Sequence, residues 1–112
     1  MRNTNEALPD DDYIARLQNA IRQLNHCESK YVESVTVSET FLSFQKPTTW
    51  KGDVAVFEIY GHPQASRAYA WSDRAENKHP WCVVVLEIPP VTSPQTAVQA
   101  ALAAQIVNRT FR

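Results

Sequence analysis

Apolar side chains first recur at helical spacing. Ile14, Leu17, Ile21 and Leu24 fall three and four residues apart, which predicts an amphipathic helix of about four turns. Ala20 and Cys27 widen this stripe, while Arg16, Gln18, Arg22 and Gln23 fall elsewhere. Pro9 and the three aspartates at 10–12 supply a start, because carboxylates cap free amides and suit the positive end of the helix dipole. The polar stretch after Asn25 and His26 supplies the stop. From Tyr31 to Phe44 the period changes. Val35, Val37 and Phe41 alternate with Thr36, Ser38 and Thr40, the pattern of a strand with one buried face. Glu39 interrupts the apolar side, as a bulge or as a position beyond the helical layer. Residues 45–49 read as a connection.

Residues 53–72 predict a β-hairpin whose register follows from its side chains. Folded at His62 and Pro63, it sets Glu58 against Arg67, Val56 against Tyr69 and Val54 against Trp71. On the other side Ile59 meets Ser66, Phe57 meets Ala68 and Ala55 meets Ala70. Opposite charges, β-branched with aromatic residues, and large with small residues are the pairs that stabilise sheets. A slip of one position loses them all.

After a polar loop at 73–80, residues 81–88 read as a fourth strand. Val84, Leu86 and Ile88 share one side and Val83, Val85 and Glu87 the other. Pro89 and Pro90 end it, since neither has an amide hydrogen for the ladder. Ser93 and Pro94 occupy favoured N-cap and first-turn positions of a last helix. Its many alanines allow close approach to a sheet, and Ala68 and Ala70 are the expected facing positions. The predicted fold class is therefore α+β: a four-stranded antiparallel meander with an N-terminal and a C-terminal helix, in two layers with both helices on one face. Residues 1–9 read as a flexible tail and residues 10–112 as one domain.

Composition narrows the function classes. The chain has 112 residues, of which 44% are hydrophobic, enough to bury a core without staples. The run from Val83 to Leu86 is far short of a bilayer span, and the N-terminus has no signal-peptide apolar segment. Eleven basic and twelve acidic residues leave a net charge of -1. That disfavours a duplex-binding protein, whose affinity comes from clustered Lys and Arg. Cys27 and Cys82 are too few for a disulfide framework and are expected to be reduced, in a cytoplasm.

Two helices on one face leave the other face bare, and that face is not polar. It carries Val54, Val56, Tyr60, Tyr69 and Trp71, a paired Glu58 and Arg67, and Val83 and Val85 from the fourth strand. An uncovered face of an antiparallel sheet is ordinarily hydrophilic, and an apolar patch of this size marks an interface. The expected function is a non-enzymatic interaction module that self-associates as a homodimer, or binds a protein partner, through Val54, Val56, Tyr60, Arg67, Tyr69, Trp71, Val83 and Val85. On this expectation Trp71→Asp abolishes association and leaves the fold. The bland alternative is that the N-terminal tail, the 73–80 loop or Trp50 folds over the face.

Two other classes compete. Arg67, Tyr69 and Trp71 project from one side of one strand, as a platform for stacking unpaired bases would. In element order alone the chain resembles the double-stranded-RNA-binding domain. It departs from that domain in its fourth strand and in a last helix that begins Ser93, Pro94, Gln95, Thr96, without lysines. His62, at the hairpin tip, is the candidate general base of an enzyme built across a protomer interface. His26, Cys27, His79 and Cys82 are the candidate zinc donors, but neighbouring helical positions point about 100° apart, so no metal or cofactor is expected.

Overall fold

The computed structural model describes residues 11–43, 45–73 and 81–110. The tail at 1–9, the helix start at Pro9 and Asp10, and the loop from 74 to 80 lie outside the described residues. Six elements follow in order: α1 (Asp11–Asn25), β1 (Glu28–Ser43), β2 (Lys46–Tyr60), β3 (Arg67–Asp73), β4 (Trp81–Leu86) and α2 (Pro94–Thr110). The strands form one antiparallel sheet in the order β1-β2-β3-β4. This is the α+β meander with a helix at each end. No helix among the described residues is long and apolar enough to cross a membrane.

The β2–β3 register is the one the side chains dictate. Ala55 pairs with Ala70, Val56 with Tyr69, Phe57 with Ala68 and Glu58 with Arg67. The Ile59 amide donates to the Ser66 carbonyl at 3.0 Å, carrying the same register toward the turn. Both helix ends use local chemistry. His26 takes a left-handed conformation (φ 60°), and its amide donates to the Arg22 carbonyl at 2.8 Å, which closes the last turn of α1. At the start of α2 the Thr96 amide donates to Ser93 Oγ, and the Ser93 amide donates to Thr96 Oγ1. This reciprocal pair satisfies two amides that the helix itself leaves free.

The layering differs from expectation in one respect that matters: the helices lie on opposite faces. Leu17 and Ile21 of α1 pack with Ala55, Phe57, Ile59, Ala68 and Ala70. Ala97, Val98 and Leu102 of α2 pack with Val54, Val56, Tyr69 and Trp71. Strand neighbours point to opposite faces, so these are two cores on two sides of one sheet, and the layers number three. The cause lies in β2, where Val54, Ala55, Val56 and Phe57 are consecutive and all buried. A strand apolar on both sides needs a cover on each. Leu24, counted in the α1 stripe, lies one turn beyond the core and is exposed.

The β1–β2 pair is longer than the sequence pattern suggests. Residues 46–49, read as connection, pair with β1 out to Ser43 and Lys46. Because β2 pairs with β3 only between Ala55 and Glu58, the outer part of β1 and β2 continues as a two-stranded arm. Gly52 serves this arm, since a Cβ there would lie 3.0 Å from the Trp50 ring. Its absence lets the indole lie back onto Trp71, edge to face at 5.6 Å between centroids. The irregularity in β1 falls between Tyr31 and Glu33, not at Glu39. An extra residue there switches which alternate positions face which helix. Tyr31 therefore joins the α1 core, and Val35 and Val37 join the α2 core.

Candidate interaction site

The residues singled out for an interface divide sharply. Val54, Val56, Tyr69 and Trp71 are at most 3% exposed, beneath α2. Val83 and Val85 are half-buried against the same cluster. Only Tyr60 and Arg67 are exposed. The bare aromatic face is thus absent, because α2 occupies it; the α2 alanines meet Val54, Val56, Tyr69 and Trp71, not Ala68 and Ala70. Among the described residues the cover is α2, and Trp50 contributes at one side; the tail and the loop from 74 to 80, the other candidate covers, lie outside the described residues.

Where α2 ends its cover, the face turns polar. Lys30 pairs with Glu58, and Glu58 with Arg67. The Glu87 amide donates to the Arg67 carbonyl. Charge therefore alternates in sign across the sheet at this level. Tyr69 reaches it from beneath α2 and donates its hydroxyl to Glu87 Oε2 at 2.6 Å. Burial, followed by the hydrogen bond that the Glu87 carboxylate accepts, pushes the Tyr69 phenol up to about 12. Tyr60 donates to Glu58 Oε1 at 3.2 Å. Glu58 and Arg67 hold the expected register, but among the described residues the only closed ion pair is Arg22 with Glu28, at 2.9 Å on the surface. An exposed pair of that kind adds little stability.

The competing chemistries fare differently from one another. Tyr69 and Trp71 are too deeply covered to stack bases, which leaves Arg67 alone on the surface. His62 uses Nδ1 to accept the amides of Gln64 and Ala65, both at 3.0 Å. It shapes the tip of the β2–β3 connection, next to Gly61 at φ 92°, and that nitrogen is not free to take a proton from a substrate. Cys27 is buried, with Sγ directed at the Asn25 carbonyl, and Cys82 is half-buried; both are free. No group of three metal-ligating side chains occurs among the described residues, and His79 lies outside them.

What remains open is an edge. Among the described residues, the order β1-β2-β3-β4 leaves the outer side of β1 without a strand partner, which leaves its row of outward amides and carbonyls free of any described strand. The opposite edge, β4, is six residues long and is soon followed by Pro89 and Pro90, two common ways of blunting an edge. β1 has 16 residues. Its protective features gather in the first part: Lys30, the bulge before Glu33, and Glu33 itself. Residues 34–43 read Ser, Val, Thr, Val, Ser, Glu, Thr, Phe, Leu, Ser, with no proline or glycine and one charge. That charge, Glu39, is held at the surface by α2, whose Gln95 and Gln99 donate their side-chain amides to its Oε2. Sequence reasoning recorded the alternation of this stretch but not its edge position, which only the strand order reveals.

Fold and site together define a small antiparallel α+β domain with a helix on each face of the sheet and one long unblunted edge. Comparison of the chain with protein-family models, with curated proteins and with solved structures found no match.

Proposed function

We propose that this chain is a non-enzymatic, cytoplasmic protein-interaction module that works as a homodimer, a second copy adding its own β1 beside β1. The observation that carries this reading is the open edge at residues 34–43, in a sheet whose two faces are already occupied. Strand addition satisfies the edge amides and carbonyls directly and needs no apolar patch. Two copies related by a two-fold axis present the same strand to each other, so one surface suffices for a closed assembly. What favours this reading over base stacking or His62 catalysis is that the Tyr69 and Trp71 rings lie under α2 and His62 Nδ1 accepts two turn amides.

Ser38 is exposed, in the middle of the open stretch, and makes a suitable probe. Edge lysines discourage strand pairing. Sedimentation equilibrium at tens of micromolar should show a dimer for the native chain. Ser38→Lys should weaken it tenfold or more, about 1.4 kcal/mol, with an unchanged circular dichroism spectrum. A native chain that is strictly monomeric, or a Ser38→Lys dimer as tight as the native one, would overturn the proposal.

A further inference from the structure

Resting on the self-association reading, we infer that the two-fold axis passes through Val37, so that Thr36 lies opposite the partner's Ser38 and Ser34 opposite the partner's Thr40. The two sheets then join into one of eight strands.

Geometry limits the choices. Directly opposed residues of an antiparallel pair share a face. A two-fold axis that keeps each face continuous must therefore place some residue opposite its own copy. Along residues 34–43 the bulge has set one parity for good: 35, 37 and 39 lie on the α2 side, and 34, 36, 38 and 40 on the other.

Each candidate axis can then be judged by what it opposes. An axis through Val35 runs the partner strand into the bulge at Tyr31 and Glu33 and loses ladder. An axis through Thr36 sets Glu33 directly against the partner's Glu39, twice, and like charges in direct opposition destabilise a sheet. An axis through Ser38 sets Ser34 against Leu42 and Glu39 against Val37, and leaves the two Glu39 positions about 8 Å apart by strand spacing. An axis through Val37 also sets Glu39 against a valine, the partner's Val35, but it keeps Glu33 from facing Glu39 and keeps the hydroxyl residues away from Leu42. Valine meets valine at the centre, where Val37 is already 4% exposed beneath α2. Ser34, Thr36, Ser38 and Thr40 then meet only one another's hydroxyl-bearing partners, a favourable cross-strand class. The two Glu39 positions separate to about 14 Å by the same spacing, beyond the screening length of physiological salt. Each carboxylate keeps the Gln95 and Gln99 amides it already has, so pairing the backbones leaves neither without hydrogen bonds.

The register can be read by isotope-filtered NMR on a dimer assembled from equal parts of 13C-labelled and unlabelled full-length chain. Intermolecular contacts should join Val37 to the partner's Val37 and Thr36 to the partner's Ser38. Contacts from Ser38 to the partner's Ser38, or any other β1 register, would overturn the Val37 axis and leave edge pairing standing. A dimer whose intermolecular contacts avoid β1, or a chain that stays monomeric at NMR concentration, would overturn both.

Discussion

Replacing Trp71 by aspartate is expected to unfold this protein, not merely to disperse it. Trp71 is 3% exposed. It pairs with Val83 of β4, meets Trp50 edge to face and lies in the cluster that α2 closes with Val98 and Leu102. Emptying a buried tryptophan site costs about 3–5 kcal/mol. An unpaired carboxylate in that site adds a desolvation cost of several kcal/mol. Together these approach the whole stability of an ordinary domain, roughly 5–15 kcal/mol. Far-UV circular dichroism and amide NMR dispersion should both collapse, whereas Trp71→Phe, which keeps an aromatic ring in the site, should fold with a lower melting temperature. A folded Trp71→Asp chain with native dispersion would mean that α2 does not cover this face.

Tyr69 should make the protein alkali-sensitive in a way that a single hydroxyl controls. Its ring is buried, and its hydroxyl donates to Glu87 at 2.6 Å. Burial first and the carboxylate second raise the phenol to about 12 from an ordinary 10, against a smaller opposing pull from Arg67. A group whose folded value is raised contributes stability that is complete below its unfolded value and fades as pH climbs through the folded one. The window here runs from about pH 10 to about pH 12, and the contribution at stake is on the order of 2–3 kcal/mol. Tyr69→Phe keeps the ring and removes the titration. At neutral pH it should be less stable than the native chain by roughly 1.5–3 kcal/mol, the worth of a hydrogen bond to a charged group. That gap should narrow between pH 10 and pH 12 in urea unfolding experiments. A gap that stays constant across the window would show that Tyr69 does not keep its proton in the folded state.

Those two residues also mark how far the sequence could be read. Cross-strand chemistry set the register of β2 against β3, because Glu58 with Arg67, Val56 with Tyr69 and Phe57 with Ala68 tolerate no slip. Element order and the cap at Ser93 were equally legible, being local. The side on which α2 lies was not. Alternation says that Val54 and Val56 face one way and Ala55 and Phe57 the other, yet it is silent on which helix serves which side. A signal was present in the unbroken apolar run from Val54 to Phe57, which belongs to strands covered twice. Ala68 and Ala70 drew the α2 alanines to the wrong face, since small residues fit close contacts in both directions. The true partners of those alanines are larger: Val54, Val56, Tyr69 and Trp71.

The arm and the edge escaped for another reason. Pro47 and the threonines at 48 and 49 resemble a connection, and only pairing with residues 40–42 reveals a strand. Glu39 looked anomalous within the alternation because its amide partners, Gln95 and Gln99, are more than fifty residues away. The bulge near Val32 has no local signature, although it decides that Val35 and Val37 join the α2 core. An open edge is a property of strand order, which is global.

The most direct test of the account is amide hydrogen exchange along β1, followed as a function of protein concentration. The account predicts that, among residues 34–43, amides turned away from β2 exchange slowly at high concentration and speed up on dilution, while amides of β2 and β3 keep their protection. Protection along β1 that does not change with concentration, in a sample whose sedimentation still shows dimer, would contradict it.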